Sequence, residues 1–319
     1  MLRSFFVSLS RVSWAQRTIT SWGVARRASA RFVAGETVAD AIQAVRALNS
    51  QGVRASLDHL GENTLNPADA QAATAEILAV LDEIENAGVQ SNVSLKLSQI
   101  GLNLGEETCH ANLLQILEKA RSLGIFIRVD MEESTMTAKT IGMVFRMAQN
   151  GFSNVGIVIQ AYLRRSERDI QELLSLPVRV RLCKGAYQEP PEVAFPSKSE
   201  VDANYDKLAR LLIVGASAQH TPPASDDGRT PPFPAIATHD PRRIQFALQT
   251  IEELKLPKNA VEFQMLYGIR RDLQQKLVGL GFPVRVYVPY GTHWFPYFMR
   301  RLGERPANIW FFASNYFRN

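Results

Sequence analysis

Eight short apolar runs rich in β-branched residues recur along the chain, most closing on polar side chains. They are VRASLDH from Val53, NVSLKLS from Asn92, IFIRVDM from Ile125, VGIVIQA from Val155, VRVRLCK from Val178, PAIATHD from Pro234, AVEFQML from Ala260 and VRVYVPY from Val284. Between most of them the apolar positions take the period of a helix, as over 68–87 and 111–123, and glycine stops such stretches at ENAGV and RSLGI. Strands that alternate with helices pair in parallel, and eight such units close into a (β/α)8 barrel. An open, doubly wound sheet is the alternative. No G-x-G-x-x-G follows a strand, and GLG at Gly279 to Gly281 lacks a third glycine and precedes a strand. A dinucleotide, if bound, is therefore not held in the Rossmann manner.

Barrel enzymes work at the C-terminal ends of their strands. Here those ends carry Asp58, His59, Lys96, Asp130, Gln160, Arg181 with Lys184, His239 and Gln264. A purely structural rim has no need of so many polar groups. The fifth-to-sixth connection is long. Its first part, YQEPPEVAFPSKSEVDANY, leaves a polar strand end and is expected to be functional. Its second part, TPPASDDGRTPPF, is rich in Pro, Ser, Asp and Gly and reads as a flexible surface loop.

The chain has 319 residues, 46% hydrophobic and 21% charged, with a net charge of +5. This is globular composition with length for a large core. No basic run or zinc-finger spacing points to nucleic acid. The longest apolar stretch, around Leu208 to Ala218, is short of the roughly 20 residues that a membrane span needs. Cys109 and Cys183 stand far apart, which fits a reducing compartment and hence the cytoplasm. His239 has no second histidine at ligand spacing, so no metal is expected. Residues 1–35 hold Arg3, Arg11, Arg17, Arg26, Arg27 and Arg31 and no Asp or Glu. Two readings stay open: a mitochondrial presequence, or a basic helical arm over 1–50 preceding a barrel over 51–319. The terminal ANIWFFASNYFRN sets aromatics beside Arg318, as at a bilayer interface, with packing on the barrel as the alternative.

The stretch YFMRRLGERPAN reads as a helix over Phe298 to Glu304, with Pro306 near its end. It sets Arg300 and Arg301 side by side among aromatics. Glu304 falls one turn on from both. Two guanidinium forks suit a carboxylate, with their stems laid on rings such as Tyr297. A solvated Arg-Arg-Glu face is the plainer alternative.

Taken in order, one per strand, the motifs DHLGE, SLKLSQIG, RVDMEES, VIQAYLRR, VRLCKGAY, ATHD, FQMLYGIR and YVPYG resemble the proline dehydrogenase family of the compact, single-function type. The likeness runs from RFVAGET to RRLGERPAN. It implies a distorted (β/α)8 barrel, bound FAD, oxidation of L-proline to 1-pyrroline-5-carboxylate, and electron delivery to a membrane quinone with peripheral contact on the inner membrane face. It further implies that Arg181 lies at the flavin's reactive edge and that Gln160, Lys184, Gly185, Ala186, Tyr187, Lys198, Thr238, His239 and Gln264 hold the cofactor. Lys96, Asp130, Leu266 and Tyr287 are implied in the proline pocket, with Tyr297, Arg300 and Arg301 above it. Arg181, Lys96, Asp130 and Tyr287 would serve catalysis.

The family often has Trp after the Tyr187 position, where this chain has Gln188. Plainer roles are a strand-end cluster for Arg181 and Lys184, a glutamine satisfied by backbone for Gln160, a structural histidine at 239, and a direct Lys96–Asp130 ion pair. Asp58, His59 and Glu62 either gate the site or brace the first loop. A second function class fits a rim lysine: a (β/α)8 lyase or aldolase with Lys96 or Lys184 as Schiff-base nucleophile.

Overall fold

The computed structural model describes residues 29–304 apart from 62–63, 177 and 219–221, and for 302–304 the helix only. Eight parallel strands close into a barrel in chain order. They are β1 (Arg54–His59), β2 (Ser91–Leu95), β3 (Ile127–Val129), β4 (Val155–Gln160), β5 (Arg179–Cys183), β6 (Pro234–Ala237), β7 (Glu262–Leu266) and β8 (Val284–Tyr290). The seam pairs β8 with β1, from Arg54 opposite Arg285 to His59 opposite Tyr290.

Helices follow the strands: α2 (Pro67–Ala87), α3 (Glu106–Ser122), α4 (Thr137–Gln149), α5 (Ser166–Leu173), α6 (Lys198–Ala218), α7 (Pro241–Glu253) and α8 (Arg271–Gly279). α1 (Val38–Asn49) comes before β1 and packs on both β1 and β8, closing the seam that the last helix of a regular barrel would cover. That leaves the last helix, α9 (Trp294–Glu304), free to sit elsewhere. Local signals set these ends. Asn66 caps α2 with Pro67 behind it, Asp240 caps α7 with Pro241 behind it, and Gly88 ends α2 at φ +60°. No helix among the described residues is long and apolar enough to cross a membrane.

The strands present their apolar side outward. Val284, Val286 and Val288 of β8 lie in the large core between sheet and helices, while Arg285 and Tyr287 turn into the lumen. The lumen is polar to its floor. Ser56 of β1 and Ser94 of β2 lie 3.1 Å apart, and Arg181 of β5 reaches across to both at 3.4 and 3.2 Å. Arg128 is fully buried. It donates to the Ile157 and Arg179 carbonyls and lies over Phe126, in space left by Gly156, where a Cβ would come within 2.8 Å of its Nη1. Burial pulls its pKa well below the ordinary arginine value.

The Pro- and Asp-rich loop, expected from composition to lie at the surface, exposes Asp226 and Asp227 but is tied down between them and Phe233. It crosses the N-terminal end of the barrel. Arg54 donates to the Ser225 carbonyl at 3.2 Å, Arg179 to that of Pro231 at 2.8 Å, and Arg285 to that of Gly228 at 2.8 Å. Arginines at the strand starts thus supply the backbone partners that a covered loop requires.

Candidate active site

The strand ends open into a cavity of about 650 Å³, within the size range of ligand and cofactor pockets. It gathers Lys96, Asp130, Gln160, Arg181, Lys184, Gly185, Ala186, Tyr187, Lys198, Thr238, His239, Gln264, Leu266 and Tyr287 from the barrel. From α9 it takes Tyr297, Arg300 and Arg301. The helix starts at Trp294, four residues before the expected Phe298, because Pro296 falls in the first turn, where its missing N–H has no helical bond to lose. The aromatic setting of the arginines has a packing cause. Trp294, Phe295, Tyr297 and Phe298 join Phe32, Val33 and Leu60 in a core of their own, which seats α9 over the barrel mouth. Arg301 is buried, with its guanidinium 5.1 Å from the Tyr297 ring centre, and Arg300 is half-buried. The side chain of Glu304 and the tail 305–319 lie outside the described residues, as do Glu62 and residues 1–28.

Below α9, Arg181 organises the floor of the cavity. It donates from Nη1 to Asp130 Oδ1 at 2.8 Å and from Nε to Gln264 Oε1 at 2.5 Å. The Tyr287 hydroxyl donates to the second oxygen of Asp130 at 2.8 Å, and its ring centre lies 5.4 Å from the Arg181 guanidinium. Burial, then the Asp130 and Asp58 carboxylates, push the Tyr287 phenol well above its ordinary pKa, so it remains a donor.

Lys96 does not pair with Asp130. Its Nζ donates to Asp58 at 3.2 Å, because β1 brings Asp58 inward beside β2 while Arg181 already holds Asp130. Asp58 is fully buried. His59 faces α2, 3.0 Å from Glu76, and its ring lies 5.1 Å from that of Tyr290.

At the other side of the cavity, Gln160 is buried. Its Nε2 lies 3.5 Å from the Met131 carbonyl, and its Oε1 has no hydrogen-bond partner among the described residues. Backbone therefore does not satisfy this glutamine. His239 Nε2 accepts from the Leu266 N–H at 2.9 Å, which places the ring proton on Nδ1. Lys184 is held by Asp240 at 2.8 Å and by Asp202, which also takes Lys198, tying the end of β5 to α6 and α7. Gly185, expected to let a cofactor approach, has another cause: at φ +111° a Cβ would lie 2.1 Å from the Tyr162 ring. Asp240 and Arg270 also line the cavity, and both stand inside motifs already singled out, ATHD and FQMLYGIR. Cys183 lines it too, with its thiol pushed up to about 12 by burial, so it is no nucleophile.

A Schiff-base lysine needs a nitrogen lone pair free to attack. Lys96 and Lys184 are both hydrogen-bonded to carboxylates, which engage the ammonium form.

Comparison with known proteins agrees with this geometry. A family model described as proline dehydrogenase matches residues 41–313. Proline dehydrogenase 2 of Bacillus subtilis (strain 168) is 38% identical over 309 residues, covering 97% of this chain and 96% of that protein. The proline dehydrogenase of Deinococcus radiodurans is 39% identical over 295 residues, covering 91% and 89%. The solved structure of proline utilization A (PutA) from Bdellovibrio bacteriovorus, inactivated by N-propargylglycine, superposes with a TM-score of 0.77 at 25% identity. It covers 87% of this chain, which spans only 32% of that longer one. With a barrel of this form, a rim of this chemistry and relatives matched over nearly their whole length, the chain is an oxidoreductase that belongs to the proline dehydrogenase family.

Proposed function

We propose that the chain oxidises L-proline to 1-pyrroline-5-carboxylate with FAD as its cofactor and passes the electrons to a membrane quinone. The observation that carries the reading is the meeting of Arg300 and Arg301 with Lys96, Asp130, Arg181 and Tyr287 in one cavity. Proline offers a carboxylate, a small apolar ring and an amine. The two arginines would take the carboxylate, since guanidinium forks match its two oxygens. Leu266 and Tyr287 would flank the ring, and Tyr297 would fix the stem of Arg301. Clamping of this kind can supply about 7–11 kcal/mol of a barrier.

The residues fit a flavin. The buried Oε1 of Gln160 has no donor among the described residues and would accept from a ring N–H. Arg181, fixed by Asp130 and Gln264, would set positive charge at the ring. Ala186, Tyr187, Lys198, Thr238 and His239, with Lys184 and Gly185 behind them, would line the rest of the cofactor's path. Bound FAD would take up the hydride equivalent lost from the substrate carbon. Lys96, with Asp58 beside it, would keep the pocket polar next to the amine. Peripheral membrane contact through the aromatic C-terminal stretch rests on sequence alone, and so does a cytoplasmic location.

Purified protein tests the reading. It should be yellow, release a flavin with the mass of FAD, and bleach when L-proline is added without oxygen. A colourless protein that borohydride traps with a carbonyl substrate would overturn it.

A further inference from the structure

One unbroken chain of hydrogen bonds runs through the lumen from floor to mouth. The Gly228 carbonyl accepts from Arg285 Nη2 at 2.8 Å. Arg285 grips Glu262 with Nε and Nη2, at 2.8 and 3.1 Å. Glu262 Oε1 also accepts from Gln264 Nε2 at 2.6 Å. Gln264 Oε1 accepts from Arg181 Nε, and Arg181 Nη1 reaches Asp130, which holds Tyr287. Glu262, Gln264, Arg181 and Arg285 are all buried, so water does not substitute freely for the links among them.

The direction of this chain is fixed by chemistry. A glutamine amide has an acceptor on one side and a donor on the other, and a half-turn exchanges them. Arg181 only donates, so Gln264 must turn its oxygen toward it. It can do so without cost only where something buried accepts from its NH2. Glu262 is that acceptor. Burial pushes its carboxyl up, and the guanidiniums of Arg285 and Arg54 with the Gln264 amide more than reverse this, leaving it ionised below the ordinary value. Glu262 itself does not line the cavity.

We infer that Glu262 is a positioning residue: it fixes the orientation of the Gln264 amide and, through it, the placement of Arg181 against Asp130 and Tyr287. The inference rests on the proposed role of Arg181 beside the cofactor. A purely structural Glu262 would serve only to neutralise Arg285 and Arg54. The two roles separate in the double variant Glu262→Met/Arg285→Met, which removes this ion pair together, while Arg54, 3.8 Å from Glu262, keeps the Asp226 and Asp227 carboxylates near it. The NH2 of Gln264 then loses its acceptor.

In flavin-loaded protein the double variant should lower kcat about tenfold. KM for proline should stay within about twofold, because the carboxylate grip is untouched. Crystals should have Arg181 withdrawn from Asp130. Adding Gln264→Glu supplies a carboxylate that needs no orienting, and should return the Arg181 contact in the crystal. Should the double variant not fold, Glu262→Asp keeps the charge opposite Arg285 and draws the acceptor away from Gln264, and the same loss of kcat is expected. A folded variant of either kind with Arg181 in place and kcat unchanged would overturn the inference. So would an Arg181 that stays withdrawn from Asp130 once Gln264→Glu is added. If wild-type protein holds no flavin, the proposed function fails, while the position of Arg181 in the variant crystals still decides the relay.

Discussion

Arg181 and Asp130 meet across the barrel, Nη1 to Oδ1 at 2.8 Å, and the other carboxylate oxygen takes the Tyr287 hydroxyl. One carboxylate therefore holds two cavity-lining groups in a fixed relation. Asp130→Asn keeps the shape but turns an N–H toward one of two donors. Hydrogen bonds to charged groups are worth about 1.5–3 kcal/mol, so kcat/KM for proline should fall about tenfold to a hundredfold. Steady-state kinetics at measured flavin content give the answer. An unchanged kcat/KM would mean that Asp130 positions nothing the reaction uses.

The Lys96–Asp58 pair is buried on both sides. Breaking it by Lys96→Met takes the ammonium away from the buried Asp58 carboxylate, which should cost about 3–5 kcal/mol in denaturant unfolding. Lys96→Met combined with Asp58→Asn should recover most of that loss, because no lone charge remains. Equal destabilisation in the single and double variants would place the loss in packing instead.

The eight strands and their polar ends are legible in the sequence because most are short runs closing on side chains such as Lys96 or Asp130. What is hidden is the polar lumen. A strand such as VRVRLCK alternates in the same way whether its arginines face water or the inside of a barrel. Arg128, Glu262 and Arg285 therefore carry no local sign of being buried. Nor does spacing reveal partners. Lys96 and Asp58 are brought together by adjacent strands, and Arg181 meets Gln264 through neighbours β5, β6 and β7. The floor loop misleads for a related reason: its backbone carbonyls at Ser225, Gly228 and Pro231 accept from arginines of the strand starts, which its composition does not show.

Acid should act partly through Glu262. Its folded pKa lies below the ordinary glutamate value of 4.5, so below that value the unfolded chain takes up a proton that the folded chain refuses. The contribution is fully present above the unfolded pKa and is lost as pH falls through the folded one. Glu262→Gln removes this dependence. Chemical denaturation from pH 6 to pH 3 should lose stability more steeply in the wild type than in the variant. Parallel curves would mean that Glu262 has the same proton affinity folded and unfolded.

The account stands most directly on Arg301, buried under α9 with its guanidinium over Tyr297 and its end in the cavity. An anaerobic titration of flavin-loaded protein with L-proline, read as loss of flavin absorbance, measures whether this arginine holds the substrate. The wild type should bleach with saturable dependence on proline. Arg301→Met should need about tenfold to a hundredfold more proline at unchanged flavin content. If the variant bleaches over the same proline range as the wild type, Arg301 does not hold the carboxylate and the proposed substrate site under α9 is wrong.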